Sequence, residues 1–248
     1  MKTTLVFRQT NVSGNSHKLL IMKGILATFQ LLVFSFSAIS QVSKKVFPLA
    51  DTAGLKPIHV AIRPEIYLGK KSIKASDTTE GITSELKYAK LADLQFRNGT
   101  IEVELAGKPL STAVETARGF VGIAFRIDET DTKFECIYLR PTNGRADDQV
   151  RRNHSTQYTS YPDFPWHKLR KETPEKYESY VDLEVGKWTK VKIVVQYSTA
   201  RLYVHGATQP TLIVSDLKHG ATHKGAIGLW IGSGTEAHFR NLVVTLTD

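Results

Sequence analysis

The chain has 248 residues, 41% of them hydrophobic and 23% charged, with one cysteine and a formal net charge of +9. Composition and length suit a globular protein that can bury its core as one all-β domain. The lone Cys136 excludes an intramolecular disulfide framework and a cysteine metal cluster, and its place in FECIYL marks a small buried hydrophobe.

At the N-terminus, Lys23 precedes an apolar run from Ile25 to Phe36, and Ala38-Ile39-Ser40 supplies small residues for cleavage before Gln41. We therefore expect residues 1–40 to be a signal peptide, with Met22 as an alternative start. Residues 41–248 are expected to form a single β-sandwich domain with a weaker lead-in over 41–90. The apolar run is too short for a membrane span. The expectation is an exported protein, periplasmic or extracellular, with no membrane insertion after signal cleavage. Loss of residues 1–40 would remove Lys2, Arg8, Lys18 and Lys23 and no acid, lowering the charge from +9 to +5. The remaining basic residues are interspersed with acids and carry no nucleic-acid motif, so no nucleic-acid partner is expected.

Ile58–Ile66 (IHVAIRPEI) alternates, with Pro64 pointing to an edge or a break. From Leu91 the pattern sharpens: LADLQF, a turn at Asn98-Gly99, then TIEVEL in strict period two. Ile101, Val103 and Leu105 share one face there, and Glu102 and Glu104 the other. GFVGIAFRI sets Val121, Ile123 and Phe125 against Phe120, Gly122, Ala124 and Arg126, and its two glycines are expected to keep one face low and accessible. FECIYLR pairs with it and leads into a long stretch, Arg140 to Tyr180.

That stretch holds five Arg, four Pro and six aromatics (Tyr158, Tyr161, Phe164, Trp166, Tyr177, Tyr180), but only Ala146, Val150 and Leu169 as aliphatics. It reads as an ordered functional insertion without an aliphatic core of its own. Strand patterns resume at YVDLEV, WTKVKIVV and ARLYVHG, and TLIVSDL, AIGLWIG and AHFRNLVVTL complete the series. At least nine strand patterns and no sustained helical period predict an all-β antiparallel β-sandwich with one long insertion at about 140–180.

Over about residues 91–248, the stretches KWTKVKIVVQYSTARLYVHG and GAIGLWIGSGTEAHFRNLVV resemble the concanavalin A-like lectin/glucanase superfamily, in particular its laminin-G-like and 3-keto-disaccharide hydrolase-type jelly rolls. The resemblance implies two packed, curved antiparallel sheets, with carbohydrate on the concave face and rim loops. It does not extend to the glucanase catalytic strand, because IEVEL lacks the central Asp of the Glu-X-Asp-X-Glu pattern.

The catalytic candidates are Glu102 and Glu104, about 7 Å apart along one strand face, together with Glu135, Asp148 and His154. Asp147 and Asp148 are candidate orienting partners for His154. Candidate substrate-binding groups are Arg140, Asn143, Arg145, Asp147, Gln149, Arg151, Arg152, Asn153 and Gln157, which offer planar hydrogen bonding to hydroxyls and carboxylates. Tyr158, Trp166, Tyr177 and Trp230 offer ring faces. No metal site or cofactor is expected, since Asp147-Asp148 alone is far from a calcium ligand set. The expected partner is an oligo- or polysaccharide; the oligomeric state is not readable. The leading expectation is glycan hydrolysis, with the insertion covering the sheet. The alternatives are a non-catalytic carbohydrate-binding or adhesion module, and a polysaccharide lyase in which Arg and Asn neutralise a uronate.

Overall fold

The computed structural model describes residues 42–78 and 85–247; the expected signal peptide lies outside the described residues. Alternating apolar and polar positions give each strand one face for the core and one for solvent. The strands are β1 (Val42–Phe47), β2 (Leu55–Ile58), β3 (Val60–Tyr67), β4 (Lys70–Asp77), β5 (Tyr88–Phe96), β6 (Gly99–Pro109), β7 (Val121–Ile127) and β8 (Phe134–Leu139). A 3-10 turn (Pro141–Asn143), α1 (Gln149–Asn153), β9 (Thr156–Tyr161), α2 (Trp166–Glu172) and β10 (Glu178–Ser179) follow. The chain closes with β11 (Thr189–Gln196), β12 (Thr199–Val204), β13 (Leu212–Val214), β14 (Gly225–Ile231) and β15 (Thr235–Thr247).

Two antiparallel sheets result. The first runs β13-β12-β11-β6-β15-β4-β3, with β1 also pairing with β15, and the second runs β10-β9-β8-β7-β14-β5-β2. This is the all-β jelly-roll sandwich that the pattern predicts. Ile101, Val103, Leu105, Val191, Ile193 and Val195 of the first sheet meet Val121, Ile123, Phe125, Ile227, Leu229 and Ile231 of the second in one buried cluster. The lead-in is stronger than its sequence suggests, because β1, β3 and β4 all join the first sheet. Pro64 lies in β3, the terminal strand of that sheet's order, where a missing N–H is tolerated.

Two local expectations are corrected. The 140–180 stretch does not lie over a finished sheet; β9 pairs with β8 across six positions and β10 pairs with β9, so the stretch extends the second sheet by two strands. Its core partners are aromatic rather than aliphatic: Tyr158 and Tyr177 pack into the inter-sheet core with Leu169. The outer face of β7 is also not left low and open. A Cβ on Gly122 would run into the Ile137 carbonyl oxygen and the Tyr138 side chain. At Gly228 it would come within 3.1 Å of Tyr88. The glycines are seats for tyrosine rings, and Tyr88, Phe134, Cys136, Tyr138 and Trp230 form a second buried cluster on the outer face of the second sheet.

Candidate functional site

The cross-strand registers line up one row of side chains on that outer face. Tyr88 stands opposite Trp230, Trp230 opposite Gly122, Gly122 opposite Tyr138, Tyr138 opposite Gln157 and Gln157 opposite Glu178. Paired positions point to the same side of a sheet, so the row passes from an aromatic half to a polar half. The Tyr138 and Trp230 rings lie 4.8 Å apart.

Arg140, two residues beyond Tyr138, ties the polar half together. Its Nη1 donates to Glu178 Oε1 at 3.0 Å and to the His154 carbonyl at 3.1 Å. Its Nη2 donates to Gln157 Oε1 at 2.9 Å and to the Tyr138 hydroxyl at 3.1 Å. Arg170 of α2 reaches Glu178 from the other side, donating Nε to Oε2 at 2.9 Å and Nη2 to Oε1. His154 Nε2 is 3.5 Å from Glu178 Oε2. Above the two guanidinium groups lies Trp166, with Arg170 Cζ 4.8 Å and Arg140 Cζ 5.8 Å from its ring. The indole is held by these cation–π contacts yet is 41% exposed. Glu178, which both guanidinium groups hold, also lines a cleft of about 200 Å³ together with Asn153, His154, Glu175, Ser179 and Tyr180. Tyr180 is steadied by Arg152, which donates to its hydroxyl at 3.0 Å and lies over its ring.

Burial alone would raise the Glu178 carboxyl, but the hydrogen bonds and charges of Arg170 and Arg140 outweigh it and hold the group below the usual carboxylate range. Burial, reinforced by the charges of Arg170 and Arg140, lowers His154 below the usual imidazole range against the opposing pull of Glu178 and Glu175. Glu85 is the exception in sign: burial pushes its carboxyl up to about 7. Its backbone carbonyl accepts from Trp230 Nε1 at 2.7 Å, which ties Glu85 to the aromatic half of the row.

The structure brings together Arg140, Asn153, His154, Gln157 and Trp166, with Trp230 in the same row. Asn143 supports them, donating Nδ2 to the His154 carbonyl at 3.1 Å. The other candidates are elsewhere. Glu102 and Glu104 face outward from the first sheet, across from Lys192 and Lys190 in register, in a shallow groove of about 310 Å³ with Tyr203 and Asn241. Glu104 is held there by Asn241 Nδ2 at 2.9 Å, and the sandwich separates both acids from Trp166 and from the cleft that Glu178 lines. Glu135 points inward and is enclosed, accepting from the Tyr158 hydroxyl at 2.6 Å and the His219 amide at 2.9 Å. Tyr158 and Tyr177 are 0% and 2% exposed and offer no ring face to a ligand. Asp148 caps α1 by accepting from the Arg151 amide at 3.1 Å, while Asp147 is exposed on the preceding loop. Arg145 pairs with Asp182 at 2.7 Å on the surface, and Gln149 bonds Asn153.

The sequence reading missed Glu178, Arg170 and Glu85. Glu178 sits in a two-residue strand and Arg170 in a seven-residue helix, both too short to declare a period. The signal for Glu178 was its place between Tyr177 and Ser179, where an alternating reading puts it on the face opposite the buried tyrosine. Among the described residues no group of three or more His, Cys, Asp or Glu is placed to hold a metal ion, and no helix is long and apolar enough to cross a membrane.

No family model matches the chain, and no curated protein matches it. Among solved structures it is similar to a carbohydrate binding module from Bacillus subtilis, with TM-score 0.49 and 11% identity, over 77% of this chain and 95% of that one. It is also similar to peanut lectin (TM-score 0.49, 10% identity, 83% and 97% covered). A Bacillus licheniformis β-glucanase gives TM-score 0.46 and 14% identity, with 83% and 99% covered. At this distance the likenesses fix neither a family nor a ligand.

Proposed function

We propose that this chain is an exported carbohydrate-binding protein, with residues 1–40 as its export signal. Its site is the polar half of the outer-face row, with Trp166 above it and the cleft that Glu178 lines. The observation that carries this reading is the state of Trp166: a large ring, partly exposed, fixed from below by Arg140 and Arg170, whose shared partner Glu178 lines a cleft with Asn153, His154 and Tyr180. A sugar ring has an apolar face of C–H groups and an equatorial fringe of hydroxyls, and a rigid indole bordered by planar polar groups complements both. Arg140 and Glu178 spend their hydrogen bonds on each other and on the row, which preorganises the platform.

Binding without turnover is favoured over hydrolysis by where the carboxylates lie. Of the acids read from the sequence, Glu102 and Glu104 are on the other sheet, Glu135 is enclosed and Asp148 is occupied as a helix cap. Hydrolysis is the second reading, supported by Glu85: a carboxyl raised to about 7, on a residue whose backbone carbonyl is bonded to Trp230, has a value that suits a general acid. Titration calorimetry of the full chain against a panel of neutral and acidic oligosaccharides, with reducing-end analysis of the same mixtures, tests both. Saturable binding without new reducing ends, abolished by Trp166→Ala, is expected. New reducing ends that disappear in Glu85→Gln would replace binding by hydrolysis, and silence across the panel would sink the carbohydrate reading.

A further inference from the structure

Resting on that reading, we infer that the glycan is anionic, carrying carboxylate or sulfate groups on its rings. Positive charge at this end of the second sheet is left uncompensated. Five arginines lie at this end of the second sheet: Arg140 and Arg170 share the single carboxylate of Glu178. Arg118, on the turn before β7, and Arg151 of α1 have no carboxylate within ion-pair distance among the described residues, and neither has Arg152 beside them.

The arginines feel one another. Burial, then the charge of Arg151 and that of Arg140, press the Arg118 guanidinium below its usual range, with Glu115 opposing. Arg118 donates Nη1 to the carbonyls of Glu115 and Ala117 at 2.7 and 3.2 Å, and its own carbonyl accepts from the Thr142 amide at 3.3 Å. The turn and the 3-10 segment are thereby fixed together. Arg151 Nε is buried with no hydrogen-bond partner. A half-buried guanidinium that lacks a counter-ion and sits among like charges destabilises the unliganded protein. An anion on the ligand relieves that repulsion, and Arg recognises carboxylate and sulfate oxygens in bidentate geometry. A neutral glycan would leave the repulsion in place.

The test uses the full chain and four probes: a polyuronate, the same polymer after carboxyl reduction, a sulfated galactan and a neutral β-glucan. At about 50 mM salt, one anionic polymer is expected to bind at least about tenfold tighter than the neutral ones, which is the worth of one hydrogen bond to a charged group. The preference should shrink at about 500 mM salt, where screening is strong. Which anionic probe binds separates carboxylate from sulfate. The Arg118→Gln/Arg151→Gln double variant, checked for an unchanged melting profile, should lose the preference while keeping its residual affinity for neutral glycan. Arg151→Lys keeps the charge if the glutamine variant fails to fold, and should retain the salt-dependent preference. Equal affinity for the polyuronate and its reduced form, together with no preference for the sulfated polymer, overturns the anionic inference and leaves the carbohydrate reading standing. No binding to any probe removes both.

Discussion

Arg140 and Glu178 meet at 3.0 Å across 38 residues of sequence, with side chains 5% and 2% exposed. Neither charge could be left in that position alone, and each holds the other as the fulcrum of three neighbouring strands. Glu178→Gln should therefore be among the most damaging single changes on this face. Breaking a buried pair from one side costs about 3–5 kcal/mol, readable as a lowered urea midpoint at unchanged m-value.

The same pair sets an acid limit. Glu178 has a folded-state value below its ordinary 4.5, so the stability it contributes is present above about pH 4.5 and is lost as the pH falls through the lower folded value. Urea midpoints measured downward from pH 6 should fall in that acid range. In Arg170→Gln the fall should be smaller, because the hydrogen bonds from Arg170 that hold the folded-state carboxyl below 4.5 are gone.

Glu85 acts in the opposite direction. Its carboxyl is raised from 4.5 to about 7, so between those values the folded chain holds a proton that the unfolded chain has released. Stability then declines as pH rises from about 4.5 to 7 and levels off above. Glu85→Gln should remove this decline, gaining on the order of 1–3 kcal/mol relative to the parent at pH 8. Paired chemical denaturation curves at pH 5 and pH 8 check it, and an identical decline in both proteins would refute the assignment.

Substitutions at tyrosine and tryptophan should separate framework from site. Tyr158→Phe removes the hydroxyl that donates to the enclosed Glu135 at 2.6 Å and accepts from the Lys218 amide at 2.9 Å. It should cost about 1–3 kcal/mol through the groups left unsatisfied, with glycan affinity intact. Trp166→Ala should do the reverse, abolishing binding with a stability loss of about 1 kcal/mol or less, since the ring is already 41% exposed. Glu102→Gln and Glu104→Gln, on the far sheet, should leave binding unchanged.

Gly122→Ala tests the seat of Tyr138. The added methyl would meet the Ile137 carbonyl oxygen and Tyr138, both fixed by strand pairing. Overpacking of this kind costs about 1–3 kcal/mol, and it should also weaken glycan binding by displacing the Tyr138 hydroxyl from Arg140.

The sandwich was legible because its signal is local. Ile101, Val103 and Leu105 alternate with Glu102, Thr100 and Glu104, and such a pattern admits one face to the core wherever the strand is placed. The site was legible only in part, because it is built from register. That Trp166 and Arg140 matter could be suspected from their types and from the odd composition between Arg140 and Tyr180. That Tyr158 and Tyr177 face the interior while Gln157 and Glu178 face outward follows from β9 joining the sheet, and nothing in TQYTSY excludes the opposite orientation. The separation of Glu102 and Glu104 from the other candidates has the same origin: their shared strand face was legible, but that the sandwich puts them on the opposite sheet from Arg140 and Trp166 is a property of the assembled fold.

Strand β10 is two residues long, and one of the two is Glu178. The terminal rung of the second sheet and the anchor of the site are thus the same stretch of backbone, so fraying of that edge and release of ligand are one linked equilibrium. On the proposed reading a bound glycan acts as a splint, slowing amide hydrogen exchange along β10 and onward into β9, beyond the residues that line the cleft.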